Sequence, residues 1–129
     1  MKAFDFNAYI TDYNLGDDDA TAERWYAKDI RVRDGFRVMA GRDQLLGFLG
    51  LAHDGVAETL KPLVVFNNEK TLMAQLDIEL RAQRDLPDYP LGPLRKNDMA
   101  TMKFFARYEI VDGKIDSIEL AYWPMNLMS

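Results

Sequence analysis

Between residues 71 and 82, in TLMAQLDIELRA, Leu72, Ala74, Leu76, Ile78 and Leu80 take every second place, with Met73, Gln75, Asp77, Glu79 and Arg81 between them. A period of two belongs to a β-strand, and here it makes one face apolar and the other mixed. Something must cover the apolar face, and the first half of the chain supplies it. Phe6, Tyr9, Ile10 and Tyr13 recur at three and four residues, which predicts an amphipathic helix over about residues 3–14. Gly16 can take a left-handed C-cap, and the aspartates at 17–19 favour the N-terminus of a second helix running to about Tyr26, so the two form a hairpin. Leu45, Phe48, Leu49 and Ala52 give a third helix, near residues 42–53, its apolar stripe.

A strand over about residues 29–34 precedes that third helix, and from about residue 57 the chain is extended. Two strands flank an Asn67-Asn68 turn, and two more, about 100–111 and 114–123, join through Asp112-Gly113, a strong hairpin signal. In the first of this second pair, Phe104, Ala106, Tyr108 and Ile110 are expected to face the interior and Phe105 the outside. The stretch RDLPDYPLGPLRKNDM, starting at Arg84, interrupts the strands with three prolines and a glycine, and loops of that length in compact domains are often functional or interface elements. Helices early and strands late indicate an α+β domain, with helices on one side of an antiparallel sheet.

Composition narrows the function. With 129 residues, 48% hydrophobic and 29% charged, the chain suits one domain spanning residues 1–129, stable without metal or disulfide. The absence of cysteine excludes thiolate chemistry and Cys-ligated metals, and fits a reducing compartment. Net charge is −5 and the 16 Lys and Arg are scattered, which argues against nucleic acid. The opening MKAFDFNAY carries acids where a secretory signal carries an apolar block, and no segment approaches the roughly 20 apolar residues of a membrane span. The expectation is a soluble, cytoplasmic protein with no membrane partner.

Within YAKDIRVRDG, the alternation that sends Ile30 and Val32 to one face sends Asp34 there too. A carboxylate among apolar residues must be hydrogen-bonded, protonated or used. It can cap the turn at Gly35 or pair with Arg31, Arg33 or Arg37; in a pocket, lost solvation would raise its pKa and make it a general base. Tyr9 and Tyr13 share a helix face, as core aromatics or as two phenols presented to one cavity. His53, beside Asp54 near a helix C-terminus, reads as a cap, and no partner at helical spacing supports a metal. Asp77, Glu79 and Arg81 read as a solvated face or charge ladder, or as a dimer interface. Trp25, Tyr122, Trp123 and nearby methionines read as core.

YITDYNLGDDDATAERWYAKDIRVRD, then GRDQLLGFL, and finally YEIVDGKIDSIELAYW resemble the nuclear transport factor 2-like superfamily, particularly its SnoaL-like branch. The resemblance spans nearly the whole chain. It implies a cystatin-like cone, in which three helices in the N-terminal half pack on a curved antiparallel or mixed sheet enclosing a largely apolar pocket, and it implies a homodimer. The superfamily includes ketosteroid isomerase, polyketide cyclases, scytalone dehydratase and limonene epoxide hydrolase, together with proteins that only bind.

Laid on the isomerase's YADDATVEDP segment, YAKDIRVRDG places Asp34 on the general base, and Tyr9, five residues before Asn14, on the oxyanion-hole tyrosine. The dehydratase's first-helix tyrosine falls on Tyr13. The isomerase's second oxyanion acid falls on Phe105 or Ala106, neither of which can donate. The dehydratase uses two sheet histidines where this chain has His53 alone, and the Arg-Asp pairing of the epoxide hydrolase is not found. The resemblance thus implies catalysis, without cofactor or metal, by Asp34, Tyr9 and Tyr13 on a small hydrophobic carbonyl compound. The alternative is a protein that binds a hydrophobic molecule, or a dimeric interaction module.

Overall fold

Two helices begin alike. Asp5 and Asp17 each turn a side-chain oxygen back to the amide three residues on, capping α1 (Phe6–Asn14) and α2 (Asp18–Trp25). Asp18 and Asp19 in the first turn of α2 complement its dipole. Gly16, at φ +87°, makes the left-handed turn between them. This computed structural model describes residues 4–124 and 126–128; α1 starts at Phe6, later than the expected start near residue 3, because Asp5 takes the extended conformation of a cap.

The chain continues as β1 (Tyr26–Asp34), β2 (Arg37–Ala40), α3 (Arg42–Ala52), β3 (Val56–Asn67), β4 (Thr71–Ala82), β5 (Met99–Val111), β6 (Lys114–Tyr122) and β7 (Asn126–Met128). Six strands form an open mixed sheet in the order β2-β1-β6-β5-β4-β3, with β7 beside β5. All neighbours on that path are antiparallel except β1 and β6, which run parallel. The α+β expectation of three helices on a mixed sheet holds.

β2 and β7 are additions to the expected strands. Four residues with one inward side chain, Met39, are too short to show a period, and β2 forms because Gly35, at φ +60°, closes a tight turn that sets Arg37 opposite Asp34. β1 also begins three residues earlier than expected, directly from the end of α2. At the other edge of the sheet, register slips between Pro62 and Val64, where proline has no N–H for the ladder. Asp112 and Gly113, at φ +52° and +77°, make the expected hairpin.

The alternation of β4 is borne out: Leu72, Ala74, Leu76, Ile78 and Leu80 are buried. Phe104, Ala106 and Tyr108 face inward with them, and Phe105 points out. On the outer face Lys61 bonds Glu79 at 2.7 Å, a cross-strand pair of the expected kind. Trp25 is core, whereas Trp123 is 60% exposed and lies against Phe105 and Lys103. It follows Tyr122, which pairs with the inward Phe104, so alternation turns Trp123 to the outer face beside Phe105. Among the described residues no helix is long and apolar enough to cross a membrane.

Candidate active site

The helix-facing side of the sheet does not close on the helices completely. A cavity of about 90 Å³ remains between them, lined by apolar side chains including Val32, Leu76 and Ile118, and by Tyr9, Tyr13, Tyr26, Asp34 and Glu58. The three residues expected from sequence to form a site are thus on one wall system.

Asp34 reaches the cavity because β1 alternates. Ile30, Val32 and Asp34 are all buried, and Asp34 is only 4% exposed. Its Oδ2 faces the Arg37 guanidinium at 3.4 Å, a long contact, and its Oδ1 is buried with no hydrogen-bond partner among the described residues. Burial raises the carboxyl's pKa; Arg37 pulls the other way, and the charge of Glu58 adds to the rise. Both sequence readings of this acid therefore meet in one residue: it is paired with Arg37, weakly, and it faces a pocket.

Tyr9 is the hub of an aromatic cluster, with ring centroids 6.1, 6.0, 5.9 and 6.1 Å from Tyr13, Trp25, Tyr26 and Tyr108 in edge-to-face arrangement. Such pairs contribute about 0.5–1.5 kcal/mol each beyond area burial. Its hydroxyl lies 2.9 Å from that of Tyr26. Two phenols bring two protons, and their mutual bond uses one, so one O–H is left for a third oxygen. Burial pushes the pKa of both phenols well up, keeping them neutral donors.

Tyr13 has a different partner. It donates to Glu58 Oε1 at 2.5 Å, and the same oxygen accepts from His53 Nε2 at 2.6 Å. His53 Nδ1 meets Asp18 Oδ2 at 2.7 Å. The backbone of His53 caps α3 as expected, but its ring turns away from that helix end, and Asp54 pairs with Arg84 instead. Burial works against charge on the imidazole; the hydrogen bonds and negative charges of Glu58 and then Asp18 outweigh it and lift its pKa to about 9. His53 is therefore an imidazolium at neutral pH, held between two carboxylates.

Sequence reasoning missed Tyr26, Glu58, Asp18 and this role of His53. Tyr26 could have been suspected from its place at the strand start; the others come from α2, the end of α3 and the start of β3, 35 and 5 residues from His53, and no spacing announces them. Among the described residues no group of three or more His, Asp or Glu side chains is arranged to hold a metal.

The proline-rich loop between β4 and β5 folds over this cavity. Leu91 lines it, Tyr89 donates to Ala52 O at 2.8 Å, and Arg37 donates to Pro90 O at 2.6 Å while lying over the Phe48 ring. One guanidinium thus ties Asp34, α3 and the loop together.

No protein-family model matches the chain, and no curated protein does. Solved structures do. A candidate polyketide cyclase from Pseudomonas putida superposes with a TM-score of 0.77 at 21% identity, over 92% of this chain and 88% of that one. Another, from Xanthomonas campestris, gives 0.76 at 22%, over 89% and 84%. The epoxide hydrolase/cyclase-like enzyme SalBIII, with a role in pyran ring formation in the polyether salinomycin, gives 0.76 at 18%, over 95% and 92%. The chain shares the fold of these solved structures, a candidate SnoaL-like polyketide cyclase from Jannaschia among them, which is the fold that the sequence resemblance implied. At these identities the likeness is one of fold.

Proposed function

We propose that the protein is a cofactor-independent acid–base catalyst, of isomerase, cyclase or lyase type, acting beside the carbonyl of a small hydrophobic molecule. Asp34 takes the proton from carbon, and the spare hydroxyl proton of the Tyr9–Tyr26 pair supports the developing enolate oxygen. Tyr13, committed to Glu58, acts through it. The observation that carries the reading is Asp34 in the lining of a phenol-lined cavity, 4% exposed and with one carboxylate oxygen lacking a hydrogen-bond partner among the described residues. Leaving such an atom unmatched costs stability, and active sites are where such costs are retained. An apolar cavity of about 150 Å³ holds a benzene, so 90 Å³ suits one small ring or a short chain.

Cyclopentanone in D₂O, followed by NMR, tests this: the protein should speed exchange of the α-protons above the buffer rate. Absence of exchange in any small ketone ends the catalytic reading. Binding without exchange favours the alternative, a receptor for a hydrophobic metabolite.

A homodimer through the outer sheet face is part of the proposal. Val64, Phe66, Met73 and Phe105 share that face by strand register and are all exposed, Phe66 at 73%. Contiguous apolar surface of this kind marks interfaces. Sedimentation over a concentration series should show the dimer, and Met73→Lys should shift it to monomer.

A further inference from the structure

Asp34 and the phenols leave one group on the cavity wall unused. Glu58 is half-hidden at the start of β3, its side chain 11% exposed, and both of its hydrogen bonds converge on Oε1. Oε2 bonds to no described residue. His53 and Tyr13 fix the carboxylate from two sides, and Asp18 fixes His53 from a third element, so the direction of Oε2 is set by α1, α2 and the end of α3 together. A carboxylate in a largely apolar wall is stabilised by each donor it gains. Glu58 and Asp34 line the same cavity of about 90 Å³.

We infer that Glu58 selects the ligand: its Oε2 accepts a hydrogen bond from a hydroxyl carried on the same small skeleton as the carbonyl, so that the preferred substrate class is a hydroxy-ketone rather than a plain ketone. The inference rests on the function proposed above. Tyr13, His53 and Asp18 are positioning residues for that oxygen. The groups that face His53 are Tyr13 on α1, Asp18 on α2 and Glu58 on β3, and a hydroxyl bound at Oε2 draws charge from the Oε1 that His53 serves.

The test compares cyclopentanone with 2- and 3-hydroxycyclopentanone. A hydrogen bond to a charged acceptor contributes about 1.5–3 kcal/mol, which is about 10- to 100-fold in affinity. One hydroxy-ketone should therefore bind the wild-type protein at least about 10-fold tighter than cyclopentanone, and Glu58→Gln should reduce that ratio several-fold, because the amide oxygen stays with Tyr13 and His53 and the group turned to the ligand becomes a neutral NH2 donor in place of a charged acceptor. Equal affinities in the wild type overturn the inference, as does a ratio that Glu58→Gln leaves intact. Should Glu58→Gln fail to fold, the His53 Nε2 proton of the wild type decides: its resonance should move with the hydroxy-ketone and stay with cyclopentanone, and an identical response overturns the inference. Asp34-dependent exchange in cyclopentanone without hydroxyl preference sinks this inference and leaves the proposed function standing. Failure of every ketone to bind sinks both.

Discussion

Asp34 and Glu58 line the same cavity and carry the same functional group, yet their surroundings are opposite. Among the described residues Asp34 has one long contact to Arg37 and an oxygen with no partner, while Glu58 receives two short hydrogen bonds at a single oxygen, one from an imidazolium. The first is under-served by its neighbours and gains from taking a proton; the second is compensated where it stands. Within one pocket, environment alone separates a group suited to proton abstraction from one suited to fixed recognition.

The widest separation should appear in exchange rates. Asp34→Asn should slow cyclopentanone α-exchange by about 10²-fold or more, the ordinary scale for losing a general base. A rate that survives would break the distinction between the two carboxylates.

The next effect belongs to the Glu58 side. The folded-state pKa of His53, about 9, lies above its ordinary 6.5, so the stabilisation it brings is complete below pH 6.5 and is lost as pH rises through 9. At about 1.36 kcal/mol per pKa unit this is on the order of 3 kcal/mol. Urea unfolding at pH 6 and pH 10 should show the loss in the wild type and a much flatter response in His53→Gln. Equal responses would mean the imidazole is neutral and Glu58 uncompensated.

Tyr26→Phe comes third. It strands the Tyr9 hydroxyl in the core, at about 1–3 kcal/mol of stability, and removes the bond that orients the one phenolic proton left. The urea midpoint measures the first and the exchange rate the second.

The smallest effect has an unusual sign. Because burial raises the Asp34 pKa, the charged form costs stability above the folded value and nothing below about 3.8. Asp34→Asn should therefore be more stable than the wild type at pH 7, by an amount that shrinks as pH falls toward 3.8. A destabilised variant at pH 7 would show that the Arg37 pairing outweighs desolvation.

Asp34 was legible because β1 has a strict period of two, and a side chain's face on a strand follows from its parity alone. Tyr9 and Tyr13 were legible for the same reason at helical spacing. Phe105 turned outward as parity required. Trp123 did not enter the core, since it neighbours Tyr122 on an alternating segment and only one of the two can face inward. β2 escaped because four residues define no period.

What the chain by itself determined is local: helix caps at Asp5 and Asp17, the turn at Asp112-Gly113, the inward face of β4, and an acid sent toward the helices. Each of these is set by residues within a few positions of one another, where steric and hydrogen-bonding preferences act directly. Tertiary structure alone decided that His53 would sit between Asp18 and Glu58, that the Tyr9 and Tyr26 hydroxyls would share one bond, and that the proline-rich loop would fold over the cavity. Those contacts join groups from separate elements, and their strength depends on burial, which exists only once the sheet and helices have packed.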